Sequence, residues 1–120
     1  MNLEIVEVES AGDLERERVV LRATSDVDVG RFAILSSRRT SDGHIAGGNI
    51  QSAYWIPDKK IKTGDLVIIY TKVGSSSVKT SEGSTSYFFY WGLNFPRWTE
   101  GFIPILTELS TWKTYRAKTS

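Results

Sequence analysis

The chain has no cysteine, which removes disulfide staples, thiolate zinc sites, iron–sulfur clusters and cysteine nucleophiles together. Histidine occurs once, at His44, too few for a histidine-built metal site. No run of about 18 apolar residues exists, so no membrane-spanning helix is expected. Glu4, Glu7 and Glu9 stand where a secretory signal would carry a basic start followed by an apolar stretch. A cytoplasmic protein with no membrane association, metal or small-molecule cofactor is the expectation. Nor do apolar residues recur at i, i+3, i+4 and i+7 over three turns anywhere, so no helix is expected.

What the chain does have is aromatic side chains and strand-forming runs. Residues 87–98 (YFFYWGLNFPRW) hold seven of its fourteen aromatic residues. In an extended strand Tyr87, Phe89 and Trp91 point one way while Phe88 and Tyr90 point the other. Rings on both faces mean either a strand inside two layers or a face offered to a partner.

The 120 residues suffice for one domain with one core, spanning residues 1–120. Residues 3–8 (LEIVEV) read as a strand with a bulge where Ile5 and Val6 adjoin. Residues 17–23 alternate, with Val19, Leu21 and Ala23 on one face and Arg18, Val20 and Arg22 on the other. Residues 31–36 (RFAILS) form a short apolar strand, and 37–51, rich in Ser, Gly, Asp and Asn, read as a long surface loop. Residues 53–56 re-enter the core before Pro57, and 58–65 bend with Ile61 inward. Residues 66–71 (LVIIYT) are the clearest strand, dominated by β-branched residues. The serine-rich 74–86 reads as a flexible connection joining it to the aromatic strand as a long hairpin. Residues 102–107 and 111–117 read as a last hairpin, with Pro104 placing the first of them at an edge or bulge. Eight or nine short strands separated by Gly, Ser and Asp turns predict an all-β antiparallel sandwich or barrel, and two packed sheets suit the length.

The formal net charge of +1 conceals an asymmetry. The first thirty residues carry eight acids against three arginines, a net of −5, and the rest carry twelve basic against six acidic, a net of +6. The acids sit at strand edges and turns, where solvated charge belongs. The basic residues Arg38, Arg39, Lys59, Lys60, Lys62, Lys113, Arg116 and Lys118 form the candidate nucleic-acid surface, although a pI of about 8.0 is below that of a dedicated binding domain. An enzymatic reading would centre on Asp42 and His44, but no Gly-x-Ser-x-Gly elbow accompanies them. The glycines of 43–48 lack the Gly-Lys-Ser/Thr ending of a phosphate loop. No catalytic residue is therefore assigned. Tyr90, Arg97 and Trp98 have the chemistry that concentrates binding energy at protein interfaces, which makes them the candidate contact residues for a protein partner, a second copy included.

The run ERVVLRATSDVDVGRFAILS followed by YWIPDKKIKTGDLVIIYT resembles the lamin-tail domain. Glu17, Val19 and Leu21 fit its first motif, and Val29, Gly30, Phe32 and Ile34 or Leu35 its second. Tyr54, Ile56, Pro57, Ile61, Gly64 and Val67 fit the third, while Trp98, Gly101, Ile103 and Ile105 or Leu106 fit the last. Phe102 departs from the aspartate that usually follows the glycine, and Thr24 stands near the usual asparagine. The resemblance implies an immunoglobulin-like β-sandwich that acts as a non-catalytic interaction module, with protein and DNA partners both represented; with the residues above, protein–protein contacts are the leading expectation and DNA or RNA binding through the basic surface the alternative.

Overall fold

The structure, a computed structural model, describes residues 1–39 and 45–118, with backbone alone over 45–49. The described residues form ten strands and one short 3-10 turn, Val29–Arg31. In chain order these are β1 (Leu3–Glu9), β2 (Arg18–Ala23), β3 (Val27–Asp28), β4 (Phe32–Arg39), β5 (Ile45–Trp55), β6 (Lys60–Ile61), β7 (Leu66–Tyr70), β8 (Ser77–Ser81), β9 (Ser84–Tyr90) and β10 (Phe102–Glu108). The fold is all-β with mixed pairing. A five-stranded sheet runs β1-β2-β7-β9-β8, a three-stranded sheet runs β10-β4-β5, and β3 pairs with β6.

Alternation along each strand decides what is buried. Val19, Leu21 and Ala23 of β2 and Val67 and Ile69 of β7 point inward with Phe89 of β9, while Arg22 stays outside. Phe32 and Ile34 of β4 come from the other sheet, and all of these share one core cluster with Leu3, Val29, Ile56, Ile61 and Trp98. Each fully buried Val, Leu, Ile or Phe among them contributes roughly 1.5–3 kcal/mol by leaving water. The bulge expected near Ile5 is present as a register shift between Ile5 and Glu7. Pro104 lies in β10, an edge strand, where a missing N–H donor costs no ladder bond.

Four expectations need correction. The loop over 37–51 is mostly sheet: β4 continues to Arg39 and β5 begins at Ile45, the two pairing with two register shifts. Its small polar residues do not oppose this, because the ladder is made by backbone groups, and Ser36 and Ser37 are fully buried within it. The segment before the aromatic strand is not a long hairpin to β7. β7 and β9 run parallel, and β8 crosses over to pair antiparallel with β9 through a two-residue turn at Glu82 and Gly83. Gly83 has φ of +81°, which the turn requires and glycine supplies without strain. Residues 111–118 form no strand. Instead β10 pairs with β4, and Trp112 from the tail packs edge-on against Trp55 at 4.9 Å between ring centroids. Finally, Glu17 is not a solvated acid but fully buried.

The fork posed by the aromatic strand has a clear outcome. Phe89 is in the core with Tyr87 and Trp91 packed against it, whereas Phe88 and Tyr90 lie half-buried on the opposite face. There the register sets Phe88 beside Ile68 and Val20, and Tyr90 beside Tyr70 and Arg18.

Candidate functional site

One end of the molecule gathers the termini of both sheets. β2 starts there at Arg18, β7 and β9 end there at Tyr70 and Tyr90, β4 ends at Arg39, and β10 starts at Phe102, opposite Arg38. Glu17 ties the end together. Its carboxylate accepts from Gly12 N (2.9 Å), Arg97 N (2.6 Å), Trp98 N (3.2 Å) and, in a short contact, the Thr71 hydroxyl. A buried carboxylate is tolerable only when its lone pairs are taken up in this way. The result fixes the loop between β9 and β10, so that Arg97 and Trp98 diverge from one anchored point.

Trp98 turns inward. It is 4% exposed and meets Trp91 edge-on at 5.9 Å. It is thus a core residue, and no exposed anchor is built from it. Arg97 turns toward β10, with its guanidinium carbon 4.9 Å from the centre of the Phe102 ring and 5.6 Å from that of Phe95. Arg38 approaches Phe102 as well, at 5.5 Å. Two guanidinium groups thus approach the Phe102 ring, and Phe95, which Arg97 also approaches, is 48% exposed. Cations over ring faces are held by the quadrupole without being neutralised. Among the described residues the ion pairs are Arg18–Glu9, Arg22–Glu4 and Lys72–Glu15, so Arg38, Arg39 and Arg97 have no carboxylate partner there.

Next to this cluster is an open depression of about 500 Å³, with Arg39, Trp98, Thr99, Glu100 and Phe102 in its wall. Two buried side-chain donors of the neighbouring loop, Arg97 Nε and Trp98 Nε1, have no acceptor among the described residues. The rim is a turn, closed by the Phe102 N–H donating to the Thr99 carbonyl at 3.1 Å.

Tyr90 belongs to a second feature of the same end. Its ring stacks on Tyr70 at 5.4 Å and 13°, and Arg18 and Lys72 approach the Tyr70 ring at 5.7 and 5.3 Å. The backbone of Gly74 lies against Tyr90, so a Cβ there would fall 2.4 Å from the ring. Here both cations are paired with acids, Arg18 with Glu9 and Lys72 with Glu15.

The remaining basic candidates are at the other end, about seven residues of β4 or roughly 23 Å away. Lys60 pairs in register with Asp28, just before β4, and Lys59 Nζ sits 5.6 Å over Tyr87. Acids interleave with these lysines. Asp28 accepts from Lys59 N, Asp65 from Lys62 N, and Asp26 from the Thr63 amide and hydroxyl. The Thr63 hydrogen bonds hold the Asp26 carboxyl below its ordinary value of 3.8. Lys113, Arg116 and Lys118 are exposed on the tail. The structure therefore joins Arg38 and Arg39 to Arg97 and Trp98, and separates them from Lys59, Lys60, Lys62 and the tail. Asp42 and His44 lie outside the described residues.

In the sequence Glu17 and Phe102 stand out only as positions of the family resemblance, and none of Phe95, Phe102 and Glu17 as a site residue. Arg97 next to two aromatic residues in FPRW was the one local signal. The partnership of Arg38 with Phe102 spans sixty-four positions and follows only from β4–β10 pairing. No protein-family model matches the chain, and no curated protein matches it.

Proposed function

We propose that this chain is a non-catalytic interaction module of the lamin-tail type, an immunoglobulin-like β-sandwich that captures an acidic segment of a protein partner at its arginine–phenylalanine end. Support for the sandwich comes from two sheets sharing one core. Support for the family comes from the burial of the residues that carry the resemblance, Glu17, Val19, Leu21, Val29, Phe32, Ile34, Ile56, Ile61 and Val67 among them. The observation that carries the binding role is the approach of both Arg38 and Arg97 to the Phe102 ring, with Arg39 next in sequence to Arg38 and no acid paired to any of the three among the described residues. Arginine and aromatic rings are the groups that dominate interface energy, and Arg binds carboxylates bidentately. Tyr90 and its stack extend the surface around the same end.

DNA or RNA binding is the second reading, favoured by the same alternation of guanidinium and exposed ring, which can stack bases and meet phosphates. Titration of labelled, acetylated and amidated hexaglutamate and of labelled oligothymidine at two salt concentrations separates them. The protein reading predicts saturable peptide binding that Arg38→Glu with Arg39→Glu abolishes. Oligothymidine binding that falls steeply between about 50 and 200 mM salt would transfer the role to nucleic acid, and silence with both ligands would remove it.

A further inference from the structure

Each of the two larger sheets has two outer strands, and an outer strand offers unpaired N–H and C=O groups to any strand that comes alongside. Three of these four are guarded. β1 is bulged between Ile5 and Glu7, and β10 carries Pro104. β5 pairs with β4 through two register shifts and carries Trp55, against which Trp112 of the tail packs. β8 differs: it pairs with β9 in unbroken register, contains no proline and exposes all five of its residues. The turn fixes which of its backbone groups are free. Ser81 and Ser84 flank the two-residue turn, so they form a hydrogen-bonded pair, and the antiparallel ladder alternates from there. Lys79 and Ser77 therefore bond to β9, whereas the N–H and C=O groups of Val78 and Thr80 point outward. The Thr80 and Thr85 hydroxyls, 3.4 Å apart, agree with the closer side chains of a non-hydrogen-bonded pair. Among the described residues no other strand pairs with this edge.

We propose that β8 is a strand-addition site for an extended segment of a partner protein, joined antiparallel through the N–H and C=O groups of Val78 and Thr80, with an acidic residue opposite Lys79. This goes beyond the arginine–phenylalanine surface, whose Arg38 and Phe102 belong to the other sheet. Lys79 selects the occupant. It has no carboxylate partner among the described residues, and bonding through its two neighbours leaves it in the closer, non-hydrogen-bonded spacing to the residue across from it. Full-length twofold pairing with a second copy would set the two Lys79 side chains directly opposite one another, which repels, whereas an acid there attracts. On the other face Val78, 57% exposed, adjoins a depression of about 190 Å³ with Tyr87, Phe89 and Lys59 in its wall. That side suits an apolar residue of the segment beside Val78.

The test is amide hydrogen exchange of the full chain, followed by ¹⁵N NMR and titrated with acetyl-Thr-Val-Glu-Val-Thr-amide. In this probe the glutamate can face Lys79 while the valines face Val78 and Thr80. The free protein should exchange fast at Val78 and Thr80 and slowly at Lys79, whose N–H is taken by β9. Saturation should slow Val78 and Thr80 by at least about tenfold. The same peptide with lysine for glutamate should bind about fivefold more weakly, and the peptide N-methylated at both valines should not bind. Thr80→Pro removes only an outward donor, so it should lose binding while the β8–β9 ladder persists. Should that variant lose the hairpin, the N-methylated peptide tests the same bonds without altering the protein. Exchange at Val78 and Thr80 that stays fast up to about 5 mM peptide would overturn the site. So would shifts confined to Arg38 and Phe102, which would leave the arginine–phenylalanine surface standing. Slow exchange at Val78 and Thr80 in the free protein, together with a dimer in sedimentation, would give the edge to a second copy and overturn the partner segment.

Discussion

Glu17 accepts from donors on three separate segments: the turn after β1, the end of β7 and the loop before β10. Glu17→Gln keeps the shape but replaces one acceptor oxygen with an NH2 that faces donors. We expect a loss of about 3 kcal/mol in urea unfolding, while Thr71→Val, which removes one donor, costs about 1 kcal/mol. Comparable small losses for both would mean that the carboxylate does not organise the loop. Asp26 makes a pH prediction. Because hydrogen bonds from Thr63 lower its folded pKa below 3.8, its contribution is fully present above that value and is lost as pH falls through the folded pKa. Acid unfolding below about 3.8 should therefore be less steep in Asp26→Asn, and identical acid limbs in the two proteins would contradict the assignment. None of the Glu17 network was legible in the sequence. Its donors are up to 81 positions away, and an acid beside two arginines in ERER reads as solvated charge.

Strands were legible wherever side chains alternate strongly, as in ERVVLRA, LVIIYT and YFFY. There the apolar period alone fixes which face is buried. They were not legible where pairing is carried by small polar residues, as in the end of β4, the start of β5 and all of β8, whose five residues are exposed. Parallel pairing of β7 with β9 leaves no local signature either, because the hairpin between them is β8–β9. Asp65 secures this arrangement, accepting from Thr85 N at the start of β9 and from Lys62 N beside β6. Asp65→Ala should cost about 1–3 kcal/mol and raise amide exchange in β8 and β9 above that in β2; uniform exchange would argue against the anchor. Gly74→Ala should cost about 1–3 kcal/mol and disturb the Tyr70–Tyr90 stack, since the new methyl would meet the Tyr90 ring at 2.4 Å. An unchanged near-ultraviolet spectrum and midpoint would show that the ring moves aside freely.

Across the whole molecule the basic residues divide into two ends of different character. One end holds Arg38, Arg39 and Arg97 around aromatic rings without paired acids among the described residues. The other interleaves Lys59, Lys60 and Lys62 with Asp26, Asp28 and Asp65, apart from the exposed tail. The sequence showed that the chain's positive charge lies beyond residue 30, but not that β4–β10 pairing would concentrate its unpaired part at one end. Most directly, the account is tested by comparing two charge reversals in one binding titration with hexaglutamate: Arg38→Glu with Arg39→Glu, and Lys59→Glu with Lys60→Glu. Loss of binding in the arginine pair alone, with both proteins folded, is the predicted result. Equal loss in both, or loss confined to the lysine pair, would contradict the assignment of the contact surface to the arginine–phenylalanine end.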